Sequence, residues 1–405
     1  LPGIYLLGRF LIRRKWGGPA AALLMAFDLM HFTQTRIATI DSFVVLWIIW
    51  MIYFMLRWFF LDFFRTPFWK TLIPLALSGI CMGLGVASKW TACYAGVVLA
   101  ILFFFGIFRR IPLVLAARKI PDEEKTEDDK KVAAGGKYLI ITVASCLILF
   151  VIIPLIIYYC SYIPFFAYDG AGITVDKVIR QAVGTYFIDG NISVYCMLGY
   201  HSQPGLGMDH AFYSPWYEWP IIAKPMYYSS NSFEPAGYQM SIMAMGNPAV
   251  WWTGLLSILL LAAVFVKRHT RRDSSLSLYA QKDDPRIAIV LLCYFVQLLP
   301  WILVPRGTYI YHYFPCVPFL ILAIVLCLDL LADWNGDGDD AFPESASLAA
   351  LWKKGSAERI ALILLAVILL AAVALFVTFF PYASGTLTKQ SWMDSVKWFD
   401  RWLWY

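Results

Sequence analysis

Six side chains that carry or could carry charge stand at or near the ends of apolar runs in this 405-residue chain: Asp28, Arg36, Asp41, Lys89, Arg306 and His312. An ionised group at a helix centre costs roughly 2.5 to 3.5 kcal/mol on insertion scales, so each needs a partner or a purpose. Arg36, Lys89 and Arg306 together would supply a fixed positive field, which binds a phosphate group and stabilises it as it departs. For any single residue there is a plainer account, in which Asp28 or Asp41 pairs with Arg36 and Lys89 snorkels to the interface. A second group is Trp216, Glu218 and Trp219, where aromatic faces can stack on sugar rings and a carboxylate can accept sugar or peptide hydrogen bonds. An interfacial aromatic belt would use the same residue types. We assign His201 and His210, in the same polar segment, to acceptor or sugar binding with them. A third pattern, Asp333, Asn335, Asp337, Asp339 and Glu344 with Gly338 at the sixth place, fits the twelve-residue calcium loop. Asp340 at the eighth place and Pro343 argue for an ordinary acidic turn instead, so a divalent metal stays an open expectation.

Such residues must be held by helices in lipid. Apolar residues make up 60% of the chain and charged ones 15%, with a mean hydropathy of +0.65, which excludes a soluble enzyme and a disordered chain. The apolar residues gather into runs long enough to cross about 30 Å of hydrocarbon at 1.5 Å per residue. Unbroken apolar runs select helices over a barrel. The fold class is therefore an all-α polytopic integral membrane protein. Nine full spans are predicted, near 17–33, 42–60, 71–87, 90–108, 138–158, 249–266, 287–304, 309–328 and 360–380, after a partial first one that ends at Arg13. Because the chain opens with Leu1 inside an apolar stretch, it reads as part of a longer protein.

Lys and Arg orient the bundle, since they are retained on the cytoplasmic side of short loops. Five loops (9–15, 57–70, 109–137, 267–286 and 353–359) hold 24 of the 33 basic residues. Those loops are assigned to the cytoplasm, and the net charge of +6 fits contact with membrane lipid heads rather than nucleic acid. Loop 118–137, dense in both charges, reads as a solvated linker. Three regions follow: transmembrane helices over 1–158 with the Arg36/Asp41 site region, an external lid segment over 159–248, and C-terminal helices with an external tail over 249–405. Chemistry is expected on the external face of a cell membrane.

FDLMHFTQTRIATID (27–41), the Ser88-Lys89-Trp90 turn, FYSPWYEWPIIAKPMYY (212–228), GNPAVWW (246–252) and RGTYIYHYFPCVPF (306–319) occur in that order. In these motifs the chain resembles the protein O-mannosyltransferases, GT-C class enzymes similar to the wider group of phospholipid-carrier-dependent glycosyltransferases. The resemblance implies transfer of mannose from a polyprenyl-phosphate donor to Ser or Thr hydroxyls of secreted protein acceptors, with inversion at the sugar carbon. It implies no certain cofactor beyond that lipid-linked donor substrate. By the same resemblance Arg36, in the R-x-x-x-x-D stretch, holds the donor phosphate and Asp41 orients it, with Lys89, Arg306 and His312 as further phosphate-binding candidates. The family's catalytic base belongs to an Asp-Glu pair in the first external loop, which the resemblance places upstream of Leu1, so the 405 residues alone are expected to be inactive. Lys224 stands where the family more often has arginine, and His210-Ala211 where His-Pro is usual.

Two other functions fit parts of the pattern. The same carrier could serve a glycolipid or cell-wall polymer as acceptor, and a polar cavity could belong to a transporter or flippase. A transporter predicts repeated halves with matched broken helices, and neither span lengths nor motifs repeat here.

Overall fold

The computed structural model describes residues 1–162, 199–230, 235–270, 284–333 and 356–402. These form two compact units, the first made of 1–39, 207–303 and 307–405, the second of 40–206 and 304–306. The protein is a helical, multi-pass membrane protein. Among the described residues eight helices are long and apolar enough to cross a membrane.

In the first unit, α1 (Pro2–Leu11) and α2 (Gly17–Ala26) form a hairpin, and α3 (Leu29–Arg36) follows at once. The expected span over 17–33 is therefore broken. Asp28 breaks it: its backbone is extended (φ −85°, ψ 127°) and its carboxylate accepts the His31 N–H at 3.0 Å, so it caps a new helix instead of continuing the old one. The same carboxylate accepts the Trp251 indole N–H at 2.8 Å and the Asn247 backbone N–H at 3.2 Å. Asp28 thus pins the GNPAVWW motif to the break, and it does not pair with Arg36.

After the lid segment, of which 163–198 and 231–234 lie outside the described residues, strand β1 (Met226–Ser230) pairs antiparallel with β3 (Ser241–Ala244), Met226 opposite Ala244. Strand β2 (Tyr238–Gln239) pairs with β4 (Thr388–Lys389) near the C-terminus. The spanning helices of this unit include α11 (Pro248–Thr270), α12 (Arg286–Leu298), α13 (Val317–Ala332) and α14 (Ser356–Ser384), with short α15 (Gln390–Ser395) after them. Between them α13 is almost wholly enclosed, from Val317 to Leu326.

The second unit holds α4 (Asp41–Phe59), α5 (Phe68–Ser88), α6 (Ala92–Phe108), α7 (Ile111–Lys119), α8 (Glu127–Ala134), α9 (Gly136–Leu147) and α10 (Ile153–Cys160), the last two joined by a π-helical turn at Ile148–Ile152. Close helix approach here depends on Gly79 and Gly83 of α5: a Cβ at Gly79 would collide with the Leu149 carbonyl, and one at Gly83 would stand 2.9 Å from the Pro154 Cα. The loop read as a solvated linker is partly helical. Thr126 and Asp129 cap each other's backbone N–H groups at the start of α8, and Glu127, Asp128 and Asp129 favour the positive end of its dipole.

Candidate functional site

Helix geometry in the second unit explains why Asp41 meets Lys89. Helices α4 and α5 are antiparallel neighbours, tied by the Ser78 hydroxyl donating to the Met51 carbonyl at 2.9 Å. Asp41 opens α4 and Lys89 ends α5, so both reach the same end of the pair, where Lys89 Nζ contacts Asp41 Oδ1 at 2.8 Å. The next residue, Trp90, donates its indole N–H to Tyr158 Oη on α10 at 3.0 Å, which fixes the turn against that helix.

Pro305 and Arg306 belong to the same unit, and the Pro305 carbonyl accepts the Gly205 N–H at 2.9 Å. That bond brings the 304–306 segment beside the stretch carrying His201. Burial first, then the charges of Arg306 and Lys89, hold the His201 pKa below the ordinary imidazole value. Its Nδ1 is buried and makes no hydrogen bond among the described residues. Two cations with a neutral imidazole beside them, one cation being oriented by a carboxylate, are an arrangement that receives an anion.

Arg36 ends α3 in the first unit. Thr33 of that helix donates to the Met243 carbonyl at 2.8 Å and Gln34 to Tyr228 Oη at 2.7 Å, so the β1/β3 pair sets the helix's position. The Arg36 guanidinium lies exposed, 5.5 Å from the Phe32 ring centroid, and pairs with no carboxylate among the described residues. His312 is buried. Its Nδ1 accepts the Tyr309 N–H at 3.0 Å, and its ring packs 4.4 Å from Trp301 and 4.3 Å from Tyr311 between centroids.

Of the residues assigned to acceptor or sugar binding, His201 is in the second unit and the other four are in the first. His210 is exposed, with Nδ1 accepting the Phe212 N–H at 3.2 Å. Trp219 is fully buried, its indole N–H shared between the Ser214 carbonyl and hydroxyl at 3.1 Å each. No Trp219 ring face is open to a sugar in this conformation, whereas Trp216 and Tyr217 keep exposed surface.

Glu218 accepts two parallel bonds from the Arg401 guanidinium, both 2.9 Å. Just beyond it the chain turns sharply: the Ala223 N–H bonds to the Glu218 carbonyl at 3.1 Å and the Ile222 N–H to the Trp219 carbonyl at 2.9 Å. This is the bonding of a Schellman turn, with Ile222 at φ 57° in the place that glycine prefers. A β-branched residue in that region costs roughly 1 to 3 kcal/mol. Full burial of Ile222 and a 2.8 Å bond from the Trp402 indole to its carbonyl hold it there. Lys224 follows, half-buried, its pKa lowered by burial and by Arg401 against the raising effect of Glu218. Arg401 and Trp402 were not picked out from the sequence. They lie in the tail, whose Trp398-Phe399-Asp400-Arg401-Trp402 run was the signal available.

Of the calcium pattern only Asp333 is described, bonded to Arg14 at 2.7 Å; Asn335, Asp337, Asp339 and Glu344 lie outside the described residues. Among the described residues no group of three or more His, Cys, Asp or Glu side chains is placed to hold a metal ion.

Comparison with known families decides the relationship. Residues 196–402, more than half of the chain, match the C-terminal four-transmembrane region of protein O-mannosyltransferase, and residues 1–168 match the dolichyl-phosphate-mannose-protein mannosyltransferase family. The chain belongs to the protein O-mannosyltransferase family. Among curated relatives it is 26% identical over 280 residues to the polyprenol-phosphate-mannose–protein mannosyltransferase of Mycobacterium tuberculosis, covering 65% of this chain and 48% of that protein. With the enzyme of the same name from Mycolicibacterium smegmatis it shares 23% over 292 residues, 68% of this chain and 49% of that one. The chain thus spans about half the length of these mycobacterial relatives. Among solved structures, the Saccharomyces cerevisiae Pmt1–Pmt2 complex bound to the sugar donor matches with a TM-score of 0.69 at 12% identity, over 99% of this chain and 79% of that one. That likeness establishes the family's GT-C membrane fold.

Proposed function

We propose that this protein O-mannosyltransferase family member transfers mannose from a polyprenyl-phosphate carrier to Ser or Thr hydroxyls of secreted proteins, at the external face of the cell membrane. The observation that carries the reading is the gathering in one unit of the Asp41-bound Lys89, Arg306 and a neutral His201. In the transfer, the acceptor hydroxyl gives its proton to a base and its oxygen bonds to the sugar carbon as the bond from that carbon to the phosphate oxygen breaks. The phosphate leaves with one more negative charge, and fixed cations stabilise that charge as it develops. Lys89 and Arg306 take this part in the second unit, and Arg36 is assigned to a donor phosphate by the resemblance of its R-x-x-x-x-D stretch. Asp41 keeps the Lys89 ammonium aimed. Among the aromatic residues of the 212–228 motif, Trp216 and Tyr217 have the open faces that a sugar or peptide can use.

Arg36 provides the test, because it is exposed and pairs with no carboxylate among the described residues. In a chain carrying the whole family region, Arg36→Lys keeps the charge but loses the two-pronged guanidinium contact. Mannose transfer from the polyprenyl-phosphate donor should fall about 100- to 1,000-fold, or roughly 3 to 4 kcal/mol of transition-state stabilisation, with thermal stability nearly unchanged. Full activity in Arg36→Ala would move the phosphate contact to Lys89 and Arg306. The same assay tests whether the 405 residues turn over by themselves; equal rates would place the proton acceptor within them.

A further inference from the structure

We propose that Lys224 binds the phosphate of a membrane lipid and that Arg401 keeps it available to do so. Lys224 sits one residue beyond Ala223, whose N–H closes on the Glu218 carbonyl, so its side chain starts beside the Glu218 backbone. The acid closest to hand is already taken: both Glu218 oxygens are occupied by Arg401. Lys224 pairs with no carboxylate among the described residues, which leaves one carboxylate facing two cations.

The surroundings indicate the kind of anion. Tyr217 and Ile221 are 62% and 52% exposed, and Trp252, Trp398 and Phe399 also present open apolar surface. Ile221, Trp252, Trp398 and Phe399 form one patch: Trp252 donates to the Ile221 carbonyl at 3.3 Å, and its ring lies 6.1 Å from Trp398 and 6.5 Å from Phe399. Amphipathic aromatic rings prefer the headgroup level of a bilayer, and a lysine among them meets lipid phosphates there. The strained Ile222 turn, gripped through the Trp402 indole, fixes where that lysine stands. The phosphate can come from an anionic phospholipid of the bulk membrane or from a polyprenyl phosphate.

The charge arrangement gives a test that a merely structural bridge would fail. The 405-residue chain is placed in nanodiscs of phosphatidylcholine doped with phosphatidylglycerol, and native mass spectrometry counts the phosphatidylglycerol retained after release. Lys224→Gln should lower occupancy of one retained lipid about five- to tenfold, and Lys224→Arg should keep it. Arg401→Gln should lose it as well, since the released Glu218 then captures Lys224. Glu218→Gln should retain the lipid or hold it more tightly, because both cations are then open. Equal retention in the parent chain and Lys224→Gln overturns the proposal. So does parallel behaviour of Glu218→Gln and Arg401→Gln, which break the same bridge and would move together if it served folding alone. Displacement by equimolar polyprenyl phosphate identifies the carrier as the source, and its absence identifies the phospholipid.

Discussion

Two ionic clusters in the first unit use similar residues in opposite ways. At one, Asp329, with a wholly inaccessible side chain, accepts Arg286 at 2.6 Å and Arg14 at 3.3 Å, and the Arg13 N–H approaches it at 3.4 Å. Asp284 takes Arg286 at 2.7 Å and Arg13 at 3.5 Å, while Asp333 and Glu358 take Arg14 at 2.7 and 3.3 Å. Three arginines there face four carboxylates. At the other, Glu218 is the one carboxylate beside Arg401 and Lys224 among the described residues, and the Arg401 side chain is 55% exposed. Saturated charge, buried at Asp284, Arg286 and Asp329, ties α12, α13 and the α1–α2 turn together, and with more carboxylates than cations it leaves no cation for a ligand. Partly exposed charge with a cation to spare can take one. What separates a structural cluster from a binding one is therefore the ratio of partners and their contact with solvent, more than the residue types.

The comparison predicts unequal costs. Asp329→Ala should be the most damaging change, because it leaves the buried Arg286 guanidinium with one carboxylate fewer in a site closed to water. Breaking a buried pair from one side costs roughly 3 to 5 kcal/mol, read as a large drop in the thermal unfolding temperature in detergent. A small drop would mean that the network relaxes to admit water, and the contrast between the clusters would fail. Glu218→Gln should cost less than about 1 kcal/mol in the same measurement, as expected for a bridge with one exposed partner. A loss equal to that of Asp329→Ala would make both clusters structural.

The smallest effect is sought in the second unit, at His201. With only five histidines in the chain, nitrogen-15 labelling can follow its ring directly. Since its folded pKa is lowered, His201 should stay neutral through neutral pH and protonate only in acid. The sign for stability follows: as pH falls below the ordinary imidazole range, the unfolded chain takes the proton first, so the folded state loses stability on the acid side. Arg306→Gln should shift the titration upward by removing one repelling charge. An unmoved titration would leave burial and Lys89 as the causes and take Arg306 out of the cation cluster there.

Composition and hydropathy alone determined the polytopic helical class, since only helices or a closed barrel satisfy the backbone of so apolar a chain in lipid and unbroken apolar runs select helices. Eight of the expected spans were legible for that reason, and the five ordered motifs were enough to reveal the family resemblance. The ninth was not: a hydropathy window averages over Asp28, whereas the helix ends there because its carboxylate finds the His31, Asn247 and Trp251 N–H groups. Local pattern read the charged 118–137 loop as solvated, and α8 there buries no residue, but it did not show the helix that the mutual Thr126–Asp129 cap starts. Site residues fared according to how far their partners lie along the chain. The sequence could place Lys89 and Asp41 at helix ends, but it could not say that they pair, because that follows from the antiparallel packing of α4 and α5. It could mark Glu218 and Trp219 as candidates, yet only packing buried Trp219 against Ser214 and gave Glu218 a partner 183 residues away in Arg401. Spacing and composition act locally, and they set which segments become helices. Burial, ion pairing and the strain stored at Ile222 depend on what the rest of the chain brings alongside, and only the tertiary structure decides that.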